Sequence, residues 1–125
     1  MKFITVNLPV VLFQGLNILR NYDIYPSWGT IYQQATKGLL SKWSRDTTTD
    51  FLLERERYVR FAYGKITKIT YIAIPDPIYN GLQRVINNSL FETMDQTVGC
   101  ALFDLFRIEF DEMQWNEFIN LSVSF

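Results

Sequence analysis

The feature that most restricts what this chain can fold into is a short strand stopped by a proline and followed by two helices, because the pattern occurs twice. In residues 3–8 the apolar side chains Ile4, Val6 and Leu8 alternate with Phe3, Thr5 and Asn7, the two-residue period of a strand with one buried face. Pro9 ends that strand. Its fixed φ suits a helix start, and the N–H it lacks would be left unpaired in a first helical turn anyway. From Val10 the spacing becomes helical, with Leu12, Leu16 and Leu19 on one stripe. Asn21 to Pro26 interrupt that helix, and Ser27 is placed to cap a second one in which Trp28, Ile31, Ala35 and Leu39 face inward.

One strand and two short helices leave a sheet edge and several helix faces uncovered, so the unit needs a partner. Sliding the sequence by 66 positions lays Ile72-Ala73-Ile74-Pro75 on Val6-Asn7-Leu8-Pro9 without gaps. Gly15 then meets Gly81, Leu16 meets Leu82, Asn21 meets Asn87, Ala35 meets Ala101 and Leu39 meets Leu105. Conservative pairs fall where the pattern needs them: Leu12 on Ile78, Phe13 on Tyr79, Leu19 on Val85, Ser27 on Thr93 and Leu40 on Phe106. Strand, proline, stripe, turn and cap are separate local signals, and they agree in one register. The chain divides accordingly into a first repeat (1–43), a basic helical connector (44–65), a degenerate second repeat (66–109) and a tail (110–125).

The succession of strand, proline, amphipathic helix, turn and Ser-capped helix resembles the ribbon-helix-helix fold of Arc- and MetJ-type DNA-binding regulators. The first copy, residues 2–43, matches better than the second, residues 68–109. The two-copy arrangement is also similar to that of transcription regulators from filamentous viruses of hyperthermophilic archaea. The resemblance implies a mainly α protein with short β, a tandem ribbon-helix-helix fold of two β-α-α repeats. In such a fold two strands pair into an antiparallel ribbon that enters the major groove of double-stranded DNA. It further implies a sequence-specific transcription regulator, here of viral origin and acting inside the host cell.

In that family the outward strand face reads bases, which assigns readout to Thr5 and Asn7, with Lys2 and Phe3 beside them. Thr5 offers a hydroxyl or a methyl, Asn7 can hold adenine through two hydrogen bonds, and Lys2 can reach a phosphate or a guanine. Phe3 departs from the family's usual polar residue, and either touches a thymine methyl or caps the ribbon's end. The family's second feature is a phosphate held at the start of the second helix, here Ser27-Trp28-Gly29-Thr30, through free N–H groups and the positive end of the helix dipole. Gly29 permits close approach there and weakens the helix by about 1 kcal/mol relative to alanine. An ordinary exposed strand and a plain N-cap are the plainer readings of the same residues, and Trp28 also fits a core position. Arg20, Lys37 and Lys42 lie on the same helices and can add phosphate contacts or stay solvated.

The second copy keeps the framework and loses the chemistry. Its outward positions are Ile69, Tyr71 and Ala73, and its helix entry carries Glu92 and Asp95, which repel a phosphate. Tyr71, with Lys65 and Lys68 upstream, is its one candidate for the reading face. In the connector, a helix capped by Asp50 is expected to pack through Leu52, Leu53, Val59 and Ala62. Arg57 and Arg60 there either extend the DNA footprint or form a mixed-charge face with Glu54 and Glu56. The tail reads as a helix carrying Phe110, Met113, Phe118 and Ile119, lying over the second copy and ending in a strand-like LSVSF.

Charge supports a division of labour. Residues 1–66 hold nine Lys and Arg against five Asp and Glu, whereas residues 67–125 hold three against eight. No histidine and a single cysteine, Cys100, leave out the commonest proton shuttle and any thiolate cage, so neither an enzyme nor a metal or organic cofactor is expected. No apolar run is long enough for a membrane span, and no secretory leader is legible, so an intracellular protein without membrane or small-molecule partners is expected. Two assemblies stay open: the two strands pair within one chain, or two chains pair their first strands. A homodimer is expected in either case. The rival functions are a protein that coats DNA along its length and an antitoxin-like module that binds a protein partner.

Overall fold

The alternating strand at the N-terminus finds its partner inside the same chain. Strand β1 (Lys2–Pro9) pairs antiparallel with β2 (Thr67–Ile74) to form a two-stranded sheet. The computed structural model describes residues 1–21, 25–45, 48–88 and 90–124, of which 44–45, 48–50 and 124 are described as backbone alone. Around the sheet are α1 (Val10–Asn21), α2 (Trp28–Arg45), α3 (Thr48–Ala62), α4 (Asp76–Asn87), α5 (Met94–Glu109) and α6 (Glu112–Ser124), so the described chain is mainly helical with short β. Part of the break expected at Asn21 to Pro26, residues 22–24, lies outside the described residues, as do 46–47 of the expected turn and Phe125 of the tail.

The register sets Thr5 opposite Tyr71, with Phe3 opposite Ala73 and Asn7 opposite Ile69 on either side. Thr5 and Tyr71 are 66 positions apart, so the ladder is centred on the very pair that the internal alignment superposes. Helices α4 and α5 likewise begin 66 positions after α1 and α2. The inner face of the ribbon buries Val6, Leu8, Ile72 and Ile74 against the helices, as the strand alternation predicts.

Pro9 ends the strand and α1 follows at once, burying Leu12, Leu16 and Leu19 together with Val11 and Ile18. The central element is α5, buried from Thr97 through Phe106. Helix α1 packs on α5 and α4 packs on α2, so each half lays its first helix on the other half's second helix. Glycines make these approaches possible. A Cβ on Gly15 would run into the Phe106 ring, and one on Gly81 would stand 2.7 Å from Leu40 Cδ1. Gly15 and Gly81 are counterparts at the 66-residue offset, and so are Leu40 and Phe106. The same contact is therefore made twice, with the halves exchanged. Gly99 gives similar room to the Tyr58 ring where α3 crosses α5.

Expectations for the connector and the tail need correction. The connector helix starts at Thr48, so Asp50 lies inside its first turn and does not precede it. It packs through Phe51, Tyr58 and Phe61, with Leu52 and Ala62 partly buried against the core as expected, while Leu53 (51% exposed) and Val59 face outward. The tail is helical to Ser124 and its LSVS segment is no strand. Ser122 Oγ donates back to the Ile119 carbonyl, and Phe118 packs inward against Phe61, Phe106 and Trp115. Met113 is 79% exposed, and α6 lies across α1 of the first half as well as the aromatic cluster of α5.

One charged group sits inside this core. Lys42 Nζ lies 3.4 Å from both Asp104 Oδ2 and Glu54 Oε1, and Glu54 also receives Arg107 at 2.8 Å and Arg57 at 3.1 Å. Burial, the hydrogen bond with Glu54 and that carboxylate's charge push Asp104 up to about 6. Burial alone would raise Glu54 too, but the Asp104 hydrogen bond and the Lys42, Arg107 and Arg57 charges outweigh it and hold Glu54 below the usual carboxylate range.

Two stability outcomes are expected. Gly15→Ala costs about 2–3 kcal/mol, since the Phe106 ring is fully buried and held by Phe110 and Phe118, whereas Gly81→Ala costs about 1 kcal/mol because half-buried Leu40 can swing aside. Urea denaturation of the two variants gives the order, and equal losses would contradict the packing described. Asp104, with its raised pKa, holds a proton when folded that the unfolded chain releases, so its stabilisation is full below about pH 4 and is lost as the pH rises through 6. Asp104→Asn should therefore gain on the wild type, by on the order of 1–2 kcal/mol, between pH 4.5 and 7.5. A Tm difference that does not change with pH would refute the assignment.

Candidate nucleic-acid interface

The sheet is two strands wide and its outer face is uncovered. Because successive side chains in a strand point to opposite faces, burying Ile4, Val6 and Leu8 obliges Phe3, Thr5 and Asn7 to point away from the core. The structure brings these three together with Ile69, Tyr71 and half-buried Ala73 from the second strand. Phe3 is 80% exposed, Tyr71 82% and Ile69 60%. None of the six positions carries a charge, and only Thr5, Asn7 and Tyr71 offer side-chain hydrogen-bonding groups.

Lysines stand at both ends of the ribbon, at positions whose alternation is that of its inner face. Lys2 begins β1 and extends over the Tyr79 ring at 5.2 Å, while at the other end Lys68 sits opposite Leu8 and Lys65 lies over the Phe61 ring at 5.4 Å. A cavity of about 290 Å³ adjoins the Lys68 end, lined among others by Asn7, Tyr63, Thr67, Thr93 and Asp95. Tyr63, 87% exposed there, was not singled out by the sequence pattern, since it falls after the helical stripe ends and before the strand begins.

The two helix entries flank the ribbon differently. Ser27 Oγ accepts from Thr30 N at 3.2 Å and lies 3.1 Å from Thr30 Oγ1, which caps α2 as expected; Gly29 is exposed beside it. Trp28 is on the boundary of exposure and packs its ring 6.2 Å from that of Phe13, so it only edges the core. Further along, α2 packs against β2. Burial there pushes the pKa of Tyr32 up to about 12, against a smaller lowering by the Thr70 side chain of β2. At the other entry Thr93 caps α5 by accepting from Gln96 N at 3.1 Å, and Asp95 Oδ1 accepts the backbone N–H of Asn7 at 2.9 Å. That bond could not be read from the sequence, because it joins residues 88 positions apart through a backbone group that every residue has.

Other basic candidates fall elsewhere. Arg57 and Arg60 bond Glu54 and Glu56 at 3.1 and 2.7 Å, the mixed-charge arrangement weighed above, and line a cavity of about 620 Å³ with Arg107, Phe103 and Trp115. Arg107 shares Glu54 with Arg57 and lies twelve residues along α5 from Asp95, about 18 Å of helix, so this cluster is remote from the ribbon. Lys42 is bound within the Asp104 and Glu54 group, and Arg20 donates to the Tyr25 carbonyl at 2.8 Å. Cys100 is fully buried, its thiol pushed up by burial.

Among the described residues no cluster of three or more His, Cys, Asp or Glu is placed to hold a metal ion, and no helix is long and apolar enough to cross a membrane. Comparison with known proteins finds no family model that matches the chain and no curated protein or solved structure significantly similar to it.

Proposed function

We propose that this is a tandem ribbon-helix-helix protein that binds double-stranded DNA by sequence and regulates transcription, with the β1–β2 ribbon as its reading element. The observation that carries the reading is the ribbon itself: two antiparallel strands, backed by helices, whose outward face is uncovered and centred on the equivalent residues Thr5 and Tyr71. A major groove about 12 Å wide admits such a ribbon. Lysines at both ends suit the phosphates that border the groove, and the capped N-terminus of α2, with Gly29 exposed, suits one phosphate on the flank.

With both strands from one chain, the ribbon is asymmetric. One strand offers Thr5 and Asn7, the other Ile69, Tyr71 and Ala73, so a single chain reads a half-site that is not a palindrome. A homodimer would bring two such ribbons to neighbouring half-sites. The flanks are asymmetric too, since Asp95 stands at the α5 entry where Gly29 stands at that of α2. An operator contact on the α5 side is therefore weakened by charge.

Two measurements test this. In a competition gel shift across a salt series, the wild type should prefer the DNA upstream of its own gene over random duplex. Thr5→Ala/Asn7→Ala should lose at least tenfold of that preference while keeping salt-sensitive general binding. Equal binding of all duplexes by wild type and variant would support a DNA-coating role instead. Asp95→Asn, which keeps an acceptor for the Asn7 N–H, should raise affinity about threefold for any duplex at low salt, with the gain fading above roughly 0.3 M. Unchanged affinity would place the α5 entry away from the DNA.

A further inference from the structure

The composition of the reading face specifies which bases it can recognise. Guanine is read best by a forked cation and cytosine by a carboxylate acceptor, and neither occurs at the six outward positions. Lys2, at the ribbon's end, is drawn over the Tyr79 ring. What the face does hold is one carboxamide, Asn7, whose geometry matches the N6 and N7 edge of adenine, and a set of apolar groups: the exposed Phe3 ring, Ile69 side chain and Thr5 methyl, and the half-buried Ala73 methyl. Bare apolar surface of this kind on a two-stranded ribbon is costly in water unless a partner covers it. In the major groove the only apolar group on any base edge is the C5 methyl of thymine.

The cross-strand geometry spreads these groups along the groove. Asn7 and Ile69 are directly opposed, so a carboxamide for adenine lies beside an aliphatic group for thymine. Phe3 and Ala73 are opposed at the other end, and successive outward residues on one strand are about 7 Å apart, close to two base-pair steps. We propose that the ribbon recognises an A·T-rich half-site through thymine methyl groups, contacted by Phe3, Ile69, Ala73 and Thr5, with Asn7 setting register on an adenine. This rests on the ribbon being the DNA-reading element and names the base chemistry it selects.

The test uses the full chain to select from a pool of 25-base-pair duplexes randomised at their centre, and then re-measures the selected duplex with its central thymines replaced by deoxyuridine. That replacement deletes the C5 methyl and leaves every hydrogen-bonding group in place. The selected core should be A·T-rich, and uridine should weaken binding about fourfold for each contacted methyl. In Phe3→Ala/Ile69→Ala, both exposed and so dispensable to the core, the ratio of thymine to uridine affinity should fall towards one. A G·C-rich core, or equal binding of the thymine and uridine duplexes, overturns the methyl assignment and leaves DNA reading intact. Failure to select any sequence overturns the DNA-reading function itself.

Discussion

Antiparallel pairing between β1 and β2 is the interaction on which the rest of the structure depends. An eight-residue strand has no stability alone, and its partner here lies almost sixty residues further along, so closing the ladder fixes α1, α2 and α3 in one loop. Once the inner residues Val6, Leu8, Ile72 and Ile74 share one side, the helices that follow each strand leave it in opposite directions. Each is thereby carried over the other half of the chain. The crossed contacts of Gly15 with Phe106 and of Gly81 with Leu40 are the consequence. They lock the halves together where a side chain of one half seats against the bare backbone of the other.

The two strand-helix-helix segments carry different chemistry. The first half keeps polar groups on its strand and a helix entry free of carboxylates. The second has Tyr71 and Ala73 in place of Thr5 and Asn7 and sets Asp95 against the backbone of β1. Asp95 thereby satisfies an edge N–H that a two-stranded sheet leaves open, a structural use for a carboxylate placed where a phosphate would be repelled. The excess of basic residues in the first half is less informative than its total suggests. Arg57, Arg60 and Lys42 are spent on ion pairs with Glu54, Glu56 and Asp104, whereas Lys2 and Lys68 stand at the ends of the ribbon.

The aromatic residues serve two ends. Phe61, Phe103, Phe106, Phe110, Trp115 and Phe118 form one contiguous cluster with ring centroids 4.6–5.8 Å apart, and it is this cluster that fastens α3 and α6 to α5. Phe3 and Tyr71 are left outside it, exposed on the outer face of the sheet.

What the sequence alone determined is local. The strand at Ile4 to Leu8, the stop at Pro9, the stripe Leu12, Leu16 and Leu19, the caps Ser27 and Thr93, and the outward set Phe3, Thr5 and Asn7 were all legible, because period, proline geometry and capping depend only on near neighbours. The tertiary structure alone decided what these pieces meet. Nothing in β1 says whether its edge pairs within the chain or with a second copy, since the N–H and C=O groups of one strand are chemically the same as those of any other. The same blindness hid the bond from Asn7 to Asp95 and the seat of α6 on α1. It also made LSVS look like a strand, when four residues of alternation are too few to outweigh Phe118 and Ser122 at helical spacing against a core already in place.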